Sequence, residues 1–87
     1  MVHRLPIDGT LDLHAFLPSE AASVVAEYVD ACHLAGIRAM RIVHGKGTGA
    51  LKRTVENVLR SHPRVDDFHT ADEAAGGWGA TLVTLRP

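Results

Sequence analysis

Three side chains able to move protons, Asp12, His14 and His44, fall in two short motifs that each follow an apolar run: TLDLH at residues 10–14 and RIVHGKGTG at residues 41–49. Histidine, with a reference pKa of ~6.5, can act as acid or base near neutrality, and a neighbouring carboxylate can set its tautomer or raise its basicity. The second motif runs through a glycine loop, His44-Gly45-Lys46-Gly47-Thr48-Gly49, to Lys52 and Arg53. Between a strand and a helix such a loop favours an anion: glycines let the backbone approach, and the free N–H groups and helix dipole attract negative charge. Gly45, Lys46, Gly47, Thr48, Gly49, Lys52 and Arg53 are therefore candidate phosphate-binding residues, with Thr48 able either to cap the helix or to touch a phosphate. A tight turn needing positive φ would explain at least two of the three glycines equally well. The stretch matches neither G-x-x-x-x-G-K-[ST] nor G-x-G-x-x-G, which disfavours a free nucleotide held in either of those ways.

Other chemistries have less support. Two histidines and an aspartate could ligate zinc or manganese, but a cationic loop beside them opposes a divalent ion unless a phosphate is also bound. A serine nucleophile is lacking near the motifs, and Thr48 would be an unusual substitute. His3, His33, His62 and His69 read as surface groups or caps. Trp78, in GGWG, could stack on a base but reads first as a plug at the end of a small core. Cys32, the single cysteine, cannot form an internal disulfide and reads as a small core residue.

The elements that must position these groups are legible from periodicity. Thr10 to His14 alternates as a short strand, with Leu11 and Leu13 on one face and Asp12 and His14, about 6.6 Å apart, on the other. From Pro18 the apolar positions Ala21, Val25, Tyr28, Cys32 and Ala35 recur at helical spacing, and Gly36 supplies a left-handed stop, giving a helix of roughly 17 residues. Arg38–Val43 is a second strand, with Met40 and Ile42 on one face. Leu51, Val55, Val58 and Leu59 mark a second helix from Gly49 to Ser61, ended by Pro63. Residues 65–70, with two adjacent acids, suit an edge strand, and residues 80–85 form the clearest strand. Helical crossovers make the first three strands parallel, and the last two pair antiparallel. The expected fold is a two-layer α/β sandwich of order β-α-β-α-β-β: a four-stranded mixed sheet with both helices on one face. His14 and His44 would then meet at the carboxyl edge of neighbouring parallel strands, where ligands of open α/β sheets bind. Asp12 could orient His14, hold His44 or accept a proton itself.

Composition bounds the rest. Eighty-seven residues, 46% apolar and 22% charged, make one modest globular domain. No apolar stretch approaches the ~20 residues needed to span a bilayer and no signal-peptide core is visible, so a cytoplasmic location without membrane contact is expected. The net charge of −1 conceals an asymmetry. Residues 38–64 carry seven basic groups against Glu56 alone, a local +6, while the remainder carries two against nine acids, −7. That is a basic face suited to phosphates, although a solvated helix and strand surface explains the charge alone about as well.

The assembled pieces resemble the Smr (small MutS-related) domain family, in its short stand-alone bacterial form. LDLH at 11–14, HGKGTG at 44–49 and GGWGATLVTL at 76–85 match its three signature regions in order and spacing, from Leu11 onward, leaving residues 1–10 as an N-terminal extension and 11–87 as the domain. The resemblance implies a fold similar to the C-terminal domain of a bacterial translation initiation factor. It also implies endonuclease activity: nicking of DNA in some members, cleavage of RNA, including messenger RNA on stalled ribosomes, in others. Its LDxH motif maps to Asp12 and His14, and its HGxG motif to His44, Gly45 and Gly47. At one position the chain departs, with Ala15 where many members carry glycine.

The expected activity is thus phosphodiester cleavage, with the glycine loop and Lys46 holding the scissile phosphate while His14 and His44 exchange protons with nucleophile and leaving group. On RNA the 2′-hydroxyl could attack without a metal; on DNA water must attack, which raises the expectation of magnesium or manganese, although no cofactor is firmly implied. The alternative is a non-catalytic nucleic-acid- or ribosome-binding module using the same basic loop. Asp12 favours the nuclease, because a pure phosphate binder gains nothing from a carboxylate beside its anion site. Oligomeric state is left open.

Overall fold

The computed structural model describes residues 7–72, 74 and 77–87, with the side chain of Trp78, and so the choice between base stacking and a core plug, outside the described residues. Six regular elements follow one another: β1 (Thr10–Asp12), α1 (Ala21–Leu34), β2 (Ala39–Val43), α2 (Ala50–Ser61), β3 (Val65–Thr70) and β4 (Ala80–Leu85). The sheet order is β1-β2-β4-β3. β1 and β2 are parallel, and β4 runs antiparallel to both β2 and β3. The first three strands therefore share one direction, and the last inserts between the second and third. β3 is left at an edge, as its two adjacent acids suggest, and a register shift between Val65 and Asp67 breaks its regularity there.

Pairing runs in rows that alternate between the faces. Leu11, Ile42 and Thr81 are one row on the core side; Thr10, Arg41, Leu82 and His69 form the next, on the face that no helix covers. The two helices pack on each other, and Val24, Val25, Tyr28 and Val29 of α1 and Val55 and Leu59 of α2 join Leu11, Met40, Ile42, Val83 and Leu85 in one core. Among the described residues no helix is long and apolar enough to cross a membrane.

Local chemistry sets the element ends. α1 is preceded by a 3-10 turn at Pro18–Glu20, where Pro18 lacks the N–H that a first turn leaves unused and Glu20 accepts the Leu17 N–H at 2.9 Å. The helix stops where expected: Gly36, at φ 79°, lets its own N–H reach the His33 carbonyl at 3.1 Å and the Ile37 N–H reach Cys32 at 2.9 Å. Ala35 is exposed, and Val24 and Val29 complete the buried stripe instead. The short β1 is clamped by Tyr28, wholly buried, whose hydroxyl accepts the Gly9 N–H at 3.2 Å and donates to the Thr10 carbonyl at 3.1 Å. Ile7 also packs on the core.

One expectation needs correction. The strand does not extend to His14: it ends at Asp12, and Leu13–Ala15 form a 3-10 turn closed by the Phe16 N–H on the Leu13 carbonyl at 3.1 Å. Asp12 ends the strand itself, because its carboxylate accepts the His14 backbone N–H at 2.9 Å and so competes with the sheet ladder. Ala15 lies in this turn with no left-handed backbone, since no described non-glycine residue has positive φ.

Candidate active site

The turn that ends β1 throws His14 outward over the sheet's carboxyl edge. The Asp12 Oδ1 that accepts the His14 N–H also lies 2.7 Å from His14 Nδ1, and both side chains are more than half exposed. The His14 backbone hydrogen bond holds the Asp12 carboxyl below its ordinary value; burial opposes this, while the His14 ring and the charges of His14 and Arg41 add to the lowering. An ionised carboxylate only accepts, so Nδ1 carries the proton and Nε2 is left for other chemistry. That nitrogen abuts Gly45: a Cβ placed on Gly45 would lie 3.0 Å from His14 Nε2. Of the three roles open to Asp12, the contact made is the one that orients His14.

His44 has the opposite environment. It continues the inward alternation of Met40 and Ile42 and is buried, only 5% exposed. Its Nδ1 lies 3.0 Å from the Gly45 carbonyl and its Nε2 2.9 Å from Thr81 Oγ1. Burial pushes its pKa down, Lys52 adding to the shift, with the Gly45 hydrogen bond and Glu56 opposing it. The edge brings the two histidines to opposite sides of Gly45, but both ring nitrogens of His44 are engaged inside the protein. The ring extends the pleat of β2 toward the core, and the residue also lines the cavity under the glycine loop.

The loop between β2 and α2 is pinned to the start of β4: the His44 and Gly45 N–H groups both donate to the Gly79 carbonyl at 2.9 Å. What Gly45 supplies is therefore clearance for His14 at φ 78° rather than a free donor. Gly49, at φ 87°, immediately precedes α2, and its carbonyl accepts the Arg53 N–H at 3.0 Å. Thr48 is not the cap residue itself; its hydroxyl accepts the Ala50 N–H at a long 3.4 Å. The loop from Gly45 to Gly49 lines a cavity of about 350 Å³ together with Pro18, His44 and Lys52. Lys46, Gly47, Thr48 and Arg53 are exposed, whereas Lys52 is buried beneath the loop with only 7% exposure. Among the described residues no three histidine, cysteine, aspartate or glutamate side chains converge to hold a metal. The Asp12-His14-His44 donor set does not fit one, because His44 faces inward.

Thr81 and Gly79 escaped the sequence reading. A signal for Thr81 was present: in ATLVTL it shares a face with Val83 and Leu85, and a hydroxyl on an apolar face needs a partner.

An exposed Asp–His pair against a glycine loop, carried at the edge of a mixed sheet with two helices on one face, defines a small α/β domain with one polar working edge. The chain belongs to the Smr domain family, whose family model matches residues 11–86. It is 46% identical over 76 residues to endonuclease MutS2 of Carboxydothermus hydrogenoformans, covering 87% of this chain and 10% of that protein. It is 42% identical over 84 residues to endonuclease MutS2 of Lactiplantibacillus plantarum, covering 97% of this chain and 11% of the relative. The chain thus spans about a tenth of the length of these relatives. Among solved structures it is similar to the Smr domain of Thermus thermophilus MutS2, with a TM-score of 0.84 and 37% identity over 90% of this chain and 98% of that one. It is also similar to YdaL, a stand-alone small MutS-related protein from Escherichia coli, with a TM-score of 0.78 and 27% identity over 94% of this chain and 67% of that one.

Proposed function

We propose that this domain is an endonuclease that cleaves phosphodiester bonds of DNA or RNA with the Asp12–His14 pair. The observation that carries the reading is the 2.7 Å contact from Asp12 to His14 Nδ1, which leaves Nε2 beside the glycine loop. In this reading Nε2 takes the proton of the attacking oxygen, a 2′-hydroxyl on RNA or a water on DNA, as the new O–P bond forms. The old P–O bond breaks, and the departing oxygen takes a proton from solvent at this exposed edge. Lys46, Arg53 and the start of α2 hold the phosphate, and the +6 charge of residues 38–64 draws the polyanion in. His44, neutral and turned inward, holds the loop rather than exchanging protons. The names of the MutS2 relatives support the nuclease class.

The test is cleavage of supercoiled plasmid and of structured RNA, with and without EDTA, by the parent and by Asp12→Ala and His14→Ala. Both variants should lose cleavage and keep salt-sensitive binding. Undiminished cleavage by both would overturn the site. Binding without cleavage by the parent would make the domain a nucleic-acid-binding module.

A further inference from the structure

Thr81 is wholly buried in the row that otherwise holds Leu11 and Ile42, where a hydroxyl without a partner would be costly. Its partner is His44 Nε2 at 2.9 Å. The other ring nitrogen, Nδ1, faces the Gly45 carbonyl at 3.0 Å, and a carbonyl can only accept. In the neutral ring Nδ1 therefore carries the proton, Nε2 accepts, and the Thr81 hydroxyl donates. The next link is Gly45 itself, whose backbone lies against His14 Nε2 so closely that a Cβ there would stand 3.0 Å away. A continuous path thus runs from β4 through the His44 ring and the Gly45 peptide to the nitrogen assigned to proton transfer.

We propose that Thr81 is a positioning residue: the Gly45 carbonyl sets the Nδ1–H form of His44, Thr81 by donating to Nε2 locks that ring in place, and the locked ring holds the Gly45 peptide against which His14 is placed. The proposal rests on the cleavage reading above for its effect on rate, but the lock itself does not. Two neighbouring contacts fit the role. The Gly79 carbonyl, one residue before β4, fixes the N–H groups of His44 and Gly45, so the same strand grips the loop through both backbone and side chain. The charged groups whose fields reach His44 are Lys52 and Glu56, both on α2.

The experiment compares the parent with Thr81→Val, which keeps the shape and removes the hydroxyl, and with Thr81→Ser, which restores it. Imidazole ¹⁵N spectra near neutral pH should show His44 in the parent as the neutral Nδ1–H tautomer. An Nε2–H tautomer or a charged ring would overturn the lock, whether or not the valine variant folds. In Thr81→Val the His44 Nε2 resonance should shift as its hydrogen bond is lost and the His14 ring resonances should move, and in Thr81→Ser both should return. Turnover by Thr81→Val should fall roughly tenfold to a hundredfold with KM little changed, the size expected when a reacting group is displaced by up to an ångström. Recovery in Thr81→Ser is expected, and its absence would overturn the role of the hydroxyl. A folded Thr81→Val that keeps the parent's His44 Nε2 and His14 resonances and its turnover would overturn the proposal. If the parent binds nucleic acid without cutting it, the cleavage reading fails while the two histidine spectra still decide the lock.

Discussion

His14 and His44 stand on either side of Gly45, yet almost everything about them differs. His14 is exposed, with one nitrogen on a carboxylate and the other against the loop. His44 is buried, with both nitrogens hydrogen-bonded within the fold and its pKa pushed down by burial. The cause is local. Asp12 captures the next-but-one N–H, ends β1 and turns the chain outward, whereas nothing interrupts the pleat of β2 before His44. Residue type and nearness to an edge do not assign a role; the partners of each nitrogen do.

The sharpest way to break this contrast is to truncate each ring in turn. His14→Ala should lower cleavage by roughly 10²–10⁴-fold, the usual worth of a proton-transfer group, with little change in melting temperature. His44→Ala should behave in the reverse order of importance. It leaves a cavity and orphans the Thr81 hydroxyl and the Gly45 carbonyl, so stability should fall by about 2–4 kcal/mol in denaturant titration. Equal loss of stability in both variants would erase the distinction.

A smaller effect should separate two glycines of the same loop. Gly45→Ala forces a side chain into left-handed backbone and against His14 Nε2, whereas a Cβ on Gly47 meets nothing within 4 Å. Both should lose about 1–2 kcal/mol or less to backbone strain, but only Gly45→Ala should also cut turnover at unchanged phosphate binding. The smallest effect is on pH dependence. Because the folded pKa of His44 lies below its ordinary value, the unfolded chain takes up the proton first. Its contribution is whole above pH ~6.5 and is lost as pH falls through the folded value. Asp12, also lowered, follows the same sign in a more acid window, below its ordinary ~3.9. Melting curves from pH 7.5 down to 5 should therefore slope more steeply in the parent than in His44→Gln, and about equally in the parent and Asp12→Asn.

Much of this architecture is legible in the sequence, since α2, β3 and β4 are bounded by glycine, proline and alternation within a residue of where they lie. The polar edge is less so. The end of β1 depends on a side-chain hydrogen bond that competes with pairing, and periodicity does not register it. The inward turn of His44 follows from extending the Met40–Ile42 alternation by one step, but the glycine loop that begins there suggests that the pleat has already ended. Lys52 falls on the buried side of α2 beside Val55 and Leu59, a position that charge alone argues against. A long aliphatic stem makes it tolerable there.

The central position of β4 bears on how the domain comes into being. It is the last strand in order, yet it separates β2 from β3 and carries both Thr81 and the approach from Gly79. During synthesis, every residue proposed to bind a phosphate or move a proton is made before the strand that fixes its geometry. A ribosome that stops short of Thr81 yields every candidate site residue and no assembled edge. The fold thus delays its working edge until its final strand arrives.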